Sequence, residues 1–206
     1  MTTTIILIRH GQTAWNREAR FRGQMDVPLD ETGLWQAQRT GEYVAARWPA
    51  AAVYASPLGR AAQTAAAVAT AQGLQAHPHD GLLDINFGAL QGLATAEAEA
   101  RYPDLYHAWL HAPHTVRFPG GESLDDVCAR STGVFRDVVA RHSKESVALV
   151  AHTVVNRVLL CAVLDLGLDY FWRLAQDTCA VNVIEWDGEK ANLYLMNDTS
   201  HLWRTA

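Results

Sequence analysis

Two rhythms of apolar and polar positions alternate along the chain. Ile5 to Ile8, Ala52 to Ala55 and Val147 to Ala151 are short, mainly apolar runs without Pro or Gly. Runs of this kind form strands covered on both faces. Between them, apolar positions recur at three- and four-residue spacing. Leu34, Ala37, Gly41, Val44, Ala45 and Trp48 predict a helix over 31–48, with Asp30 as N-cap and Pro49 as its stop. Ser56 as cap and Pro57 as first residue predict an Ala-rich helix to about residue 72. Residues 75–80 read as an edge strand, where Pro78 is tolerated. Ser123 and Asp126 form a capping-box pattern ahead of a helix to about residue 142, and a further helix is expected over 154–166. Residues 178–186 and 190–196 read as strands joined by Asp187-Gly188, a strong hairpin signal.

This alternation predicts an α/β three-layer sandwich: a mainly parallel sheet with helices on both faces and an antiparallel edge strand. One stretch breaks the rhythm. Gly88, Gly92, Pro103, Pro113 and Pro119 punctuate two short helical pieces, over 94–102 and 105–112. We read about 85–121 as a small lid inserted over the strand ends, within one domain spanning residues 1–206.

Composition narrows the function classes. Nearly half of the residues are apolar (49%), which suits a packed globule rather than a disordered chain. The formal net charge of −5 argues against nucleic acid or an acidic membrane as a partner. It leaves the oligomeric state open. Cys128, Cys161 and Cys179 are odd in number and widely spaced, as reduced thiols are. No leader pattern or membrane-spanning run is seen, so a cytoplasmic location is expected. His107, His111 and His114 have spacings that suit zinc, but no Cys or clustered carboxylate joins them. We expect no metal and no cofactor.

The chemistry gathers at strand ends. Arg9 and His10 close the first strand, Gly11 permits a sharp turn, and Thr13 can cap a short helix through Trp15 and Asn16. His152 closes a later strand in the same way, directly before a helix. Parallel strands would bring both imidazoles to one rim of the sheet, where ligands of open α/β folds bind. A neutral imidazole is a competent nucleophile near pH 7. Arg60 falls in the first turn of its helix, where the helix end already favours anions. Asp84 lies between Leu83 and Ile85, with Phe87 nearby. It is either a general acid or a cap for the following turn.

Taken in order, these segments resemble the histidine phosphatase superfamily, the phosphoglycerate-mutase-like proteins. The resemblance rests on Arg9-His10-Gly11, the loop Gly23 to Leu29, the helix start Ser56 to Ala65, the acid segment Leu82 to Gly92, Gly121-Glu122-Ser123 and the late His152. It implies that His10 takes the phosphoryl group, that Arg9, Arg60 and His152 bind its oxygens with help from Asn16, and that Asp84 is the proton donor. It places Arg22, Gly23 and Thr153 at the substrate pocket. The implied activity is hydrolysis of small phosphorylated metabolites through phosphohistidine, as in the short bacterial broad-specificity phosphatases, whose ending resembles Asp198-Thr199-Ser200-His201. The alternatives are a cofactor-dependent phosphoglycerate mutase and a phosphate-binding module without turnover.

Three departures accompany the resemblance: Asp84 for the usual Glu, Gln12 for a common Glu, and Thr153 for a frequent Gly. Arg22 stands where related phosphatases often place Gln. It either faces solvent or pairs with Asp26, or it meets a second anionic group on the substrate. Among the aromatics, Trp15, Trp35, Trp48 and Trp172 are expected in the core, whereas Phe87, Trp109 and Phe118 line the pocket or pack beside it.

Overall fold

A computed structural model describes residues 2–203; Met1 and residues 204–206, the ends of the expected domain, lie outside the described residues. Six strands form one sheet: β1 (Thr3–Arg9), β2 (Ala52–Ala55), β3 (Ala76–Pro78), β4 (Ser146–Ala151), β5 (Val181–Trp186) and β6 (Ala191–Asp198). Their spatial order is β3-β2-β4-β1-β5-β6. β1, β4, β2 and β3 are mutually parallel, and β5 pairs antiparallel with both β1 and β6. The predicted antiparallel edge is therefore a whole hairpin.

Among the described residues seven α-helices accompany the strands: α1 (Ala14–Arg17), α2 (Glu31–Arg47), α3 (Gly59–Thr70), α4 (Thr95–Arg101), α5 (Pro103–His111), α6 (Leu124–Arg141) and α7 (Thr153–Val163). Successive strand residues point to opposite faces, and the core divides accordingly. Ile5 and Leu7 of β1 pack with Val147 and Leu149 of β4 against α6 and α7. Ile6 and Ile8 pack with Ala148 and Val150 against α2 and α3. This is why the central strands read as unbroken apolar runs. Among the described residues no helix is long and apolar enough to cross a membrane.

Several expectations need correction. The helix after β2 starts at Gly59, not at Pro57. The Ser56 hydroxyl accepts from the Leu58 amide at 3.3 Å, within a preceding turn, and Asp26 supplies the helix cap instead, accepting from the Gly59 amide at 2.7 Å. α7 ends three residues early because Asp165 takes a left-handed conformation (φ +54°), and the Leu166 amide bonds back to the Cys161 carbonyl at 2.9 Å. That is a Schellman closure. Leu34 does not face the core but is half exposed. The packed face of α2 is built from small residues instead. A Cβ on Gly41 would lie 2.6 Å from the Ala67 carbonyl of α3, and one on Gly33 would lie 2.1 Å from the Gln12 carbonyl. None of Trp15, Trp35, Trp48 and Trp172 is fully buried.

The 85–121 stretch carries α4, α5 and two short 3-10 turns, at Gly88–Leu90 and Pro113–Thr115. Phe87, Trp109 and Phe118 anchor it edge-to-face, with ring centroids 4.9–5.9 Å apart, on the core side of α7.

Candidate active site

β1 and β4 are neighbours in register, with Arg9 opposite Ala151. One step further, the His10 amide donates to the Ala151 carbonyl at 3.0 Å. The two imidazoles therefore emerge side by side, with ring centroids 5.2 Å apart. Both are fully buried. His10 Nδ1 lies 2.7 Å from the Gly11 carbonyl, which can only accept, so Nδ1 carries the proton and Nε2 keeps its lone pair. Among the described residues Nε2 has no hydrogen-bond partner. Burial, and then the charges of Arg60, Arg9 and Arg22, hold the His10 imidazole well below its usual pKa. Burial and Arg60 do the same to His152. Both rings are neutral at pH 7.

Three guanidiniums surround the pair. Arg9 donates to the Gln176 carbonyl at 2.5 Å and leaves Nε unbonded. Burial lowers its pKa to about 10, so it remains a cation. Arg60 is completely buried in the first turn of α3 and donates to the carbonyls of Met25 (3.0 Å) and Gly23 (2.7 Å) and to Asp84 Oδ2 (3.1 Å). Gly23 thus serves the site through its carbonyl. Its φ of +51° and the Gln91 amide oxygen, 2.2 Å from where a Cβ would stand, require glycine there. Arg22 is directed inward: it lines the cleft, its Nε is buried without a partner, and it makes no ion pair among the described residues. The expected alternative partner, Asp26, is engaged by the Gly59 amide.

Asp84 accepts from Arg60 and from its neighbour's amide, Ile85 N at 3.0 Å, and lies 3.7 Å from His152 Nδ1. Its chain neighbours are apolar, but the carboxylate itself faces cations. Asn16 Oδ1 accepts from the Thr13 amide and hydroxyl at 3.0 and 2.8 Å, so its NH₂ is left to donate into the cleft that it lines. Thr153 opens α7 at the same cleft.

The cleft itself has a volume of about 400 Å³. Trp15 and Trp172, expected in the core, form part of its wall, as do edges of Phe87 and Trp109; Phe118 packs beneath. His10, Arg60 and His152 are fully buried and are not part of its lining; the cleft reaches the site through Arg9, Arg22 and Asp84. The His107 and His111 rings lie 4.4 Å apart on α5, tilted at 43°, and among the described residues no group of three or more His, Cys, Asp or Glu is placed to hold a metal ion.

Sequence reasoning missed the supports of this site. Gln176 and Asn182 form a reciprocal amide pair at 2.8 and 3.0 Å, and Asn182 also donates to the Leu7 carbonyl at 2.9 Å, which fixes the carbonyl that orients Arg9. Arg130 of α6 bonds the carbonyls of Gly81, Leu83 and Asp84 and both carboxylate oxygens of Glu122. Glu122 in turn accepts from the Asn86 amide at 2.8 Å. Gly121-Glu122-Ser123 was visible as a motif, but its action on the acid segment was not.

Comparison with known proteins agrees with this geometry. Residues 5–199 match the histidine phosphatase superfamily (branch 1). Phosphoserine phosphatase 1 of Hydrogenobacter thermophilus is 34% identical over 96% of this chain and 93% of its own length. Some curated relatives are longer, and the chain spans 55% of their length. Among solved structures, YhfR of Bacillus stearothermophilus superposes with a TM-score of 0.92 at 34% identity, covering 98% of this chain and 100% of that one. A mycobacterial glucosyl-3-phosphoglycerate phosphatase complexed with VO3 superposes at 0.89 with 30% identity, covering 95% and 99%. With the paired histidines, the guanidiniums around them and a match along nearly its whole length, the chain belongs to the histidine phosphatase superfamily.

Proposed function

We propose that this site hydrolyses small phosphomonoesters, without a metal, through a phosphohistidine on His10. The observation that carries the reading is the free Nε2 of a neutral His10, held by the Gly11 carbonyl and ringed by guanidiniums. Phosphoryl transfer asks a protein mainly for positioning and for positive charge around the transferred group. Arg9, Arg22, Arg60 and His152 supply charge and hydrogen bonds to its oxygens, and the Asn16 NH₂ and Thr153 border it.

His10 Nε2 attacks phosphorus, the N–P bond forms and the ester P–O bond breaks. A dianionic phosphate that takes Arg60 displaces the Asp84 carboxylate. Losing a cation and gaining an anionic neighbour both favour proton uptake by that carboxyl. Asp84 then gives its proton to the departing oxygen. In the second step it accepts a proton from the water that cleaves N–P, releasing phosphate and restoring His10. The substrates are small phosphorylated metabolites. The three cysteines, none in a disulfide, suit a cytoplasmic setting.

The test is trapping with 32P-labelled substrate, quenched in alkaline SDS. An acid-labile, base-stable label is expected on wild type and not on His10→Ala, with turnover unaffected by EDTA. A folded His10→Ala protein that turns over at the wild-type rate would overturn the reading.

A further inference from the structure

Four cations and one carboxylate line the cleft: Arg9, Arg20, Arg22 and Arg157 against Asp84. Arg20 is neutralised by Glu18 at 2.7 Å. Arg9 and Arg22 act on the histidines. Arg157 is left over. It lies one helical turn beyond Thr153 on α7, on the same face. Its Nε donates to the Leu174 carbonyl at 2.6 Å, and its guanidinium carbon lies over both the Phe171 ring, 5.2 Å from the centroid, and the Trp172 ring, 4.9 Å from the centroid, the two rings meeting edge-to-face. Trp172 is itself pinned, its Nε1 donating to the Trp109 carbonyl at 2.7 Å. The guanidinium is thus fixed in orientation, with its two NH₂ groups left free.

No carboxylate lies within ion-pair distance of Arg157 among the described residues. The acidic group whose field reaches it, Asp177, is turned to Asn197 at 2.8 Å. Burial lowers the Arg157 pKa, and its charge also disfavours the neighbouring Arg9 cation. A scaffold residue packing on two rings would not need that uncompensated charge. We infer that Arg157 is a second anion subsite, and that the preferred substrates are phosphomonoesters whose leaving group carries a carboxylate. With Nε held by the Leu174 carbonyl, the two NH₂ groups are left to the ligand, and such a pair of donors matches a planar carboxylate bidentately. The volume of about 400 Å³ leaves room for a leaving group beside the phosphoryl group. This inference rests on the phosphatase reading for the place of the reacting phosphate. It moves the second-anion role from Arg22, which sits with the histidines, to Arg157.

The experiment uses a matched pair, 4-carboxyphenyl phosphate and its neutral isostere 4-carbamoylphenyl phosphate, at fixed salt. Wild type is expected to favour the acid in kcat/KM by about tenfold or more, the scale of one charge-assisted contact. Arg157→Gln is expected to bring the ratio close to one, Arg157→Lys to restore part of it, and Arg22→Gln to lower both substrates alike. The same ratio is read as calorimetric Kd in His10→Ala and in His10→Ala/Arg157→Gln, which needs no turnover. A wild-type ratio near one, or equal losses on both esters in Arg157→Gln, overturns the inference. Failure to trap phosphohistidine overturns the catalytic reading, while the Kd ratio still decides the subsite.

Discussion

Asp84 is one methylene shorter than the usual glutamate, and it holds Arg60 at 3.1 Å. Its two jobs separate by leaving group. Asp84→Asn should slow alkyl phosphate hydrolysis by about 10²–10⁴-fold, the usual contribution of general acid catalysis. It should slow p-nitrophenyl phosphate much less, because that leaving group departs without a proton. Steady-state rates on the two substrates check this, and equal losses would remove the acid role. The paired Arg and His at the strand ends could be read in the sequence because each is announced by its neighbours: an apolar run before it, and Gly11 or a helix start after it. Arg157 and Arg130 could not. Nothing in either helix marks them, and their roles depend on rings and carbonyls that the fold brings from elsewhere in the chain.

At the level of elements, the acid segment is positioned from outside itself. Arg130 gathers two of its carbonyls, Leu83 and Asp84, with that of Gly81 just before it, and the turn before α6 closes against it so tightly that a Cβ on Gly88 would lie 2.1 Å from the Pro119 carbonyl. Arg130→Gln should therefore lower kcat for alkyl phosphates more than for p-nitrophenyl phosphate, as a misplaced proton donor would, and Arg130→Lys should recover part of it. A loss equal on both substrates would mean general disruption. Stability should fall by about 1–3 kcal/mol in urea titrations, from carbonyls and a carboxylate left short of partners. Element types and order were legible because strand runs and helical spacing are local signals. Helix ends were less so. Asp26 caps α3 from 33 residues upstream, and an aspartate rather than a glycine closes α7. The outward-facing Leu34 was misread because Gly33 and Gly41, not large apolar residues, make the close contacts of α2.

Across the whole molecule, three buried imidazoles couple folding to protons. Burial holds His201 at about 4, where it stacks 4.6 Å from Tyr43, and holds His10 and His152 well below the usual value. Unfolded, each returns to about 6.5 and binds a proton that the native state refuses. The unfolded chain therefore takes up more protons below pH 6.5. Stability should be full above that pH and decline as pH falls toward 4, each histidine adding a slope of at most about 1.4 kcal/mol per unit. Urea midpoints between pH 7 and pH 4.5 check the sign, and His201→Phe should flatten part of the slope.

The register of β1 against β4 has a consequence that can be followed in deuterium. The His10 amide is one rung of the ladder between the two central strands, bonded to the Ala151 carbonyl. The spacing of the two imidazoles is therefore held by the buried central strand pair, which is expected to open last. Amides of residues 5–10 and 147–151 should exchange only with global unfolding, while those of α4 and α5 exchange sooner through local opening. Moderate heat or urea should then loosen the wall around the leaving group while leaving the nucleophile in place. In that interval the enzyme should lose discrimination between leaving groups before it loses the ability to form phosphohistidine.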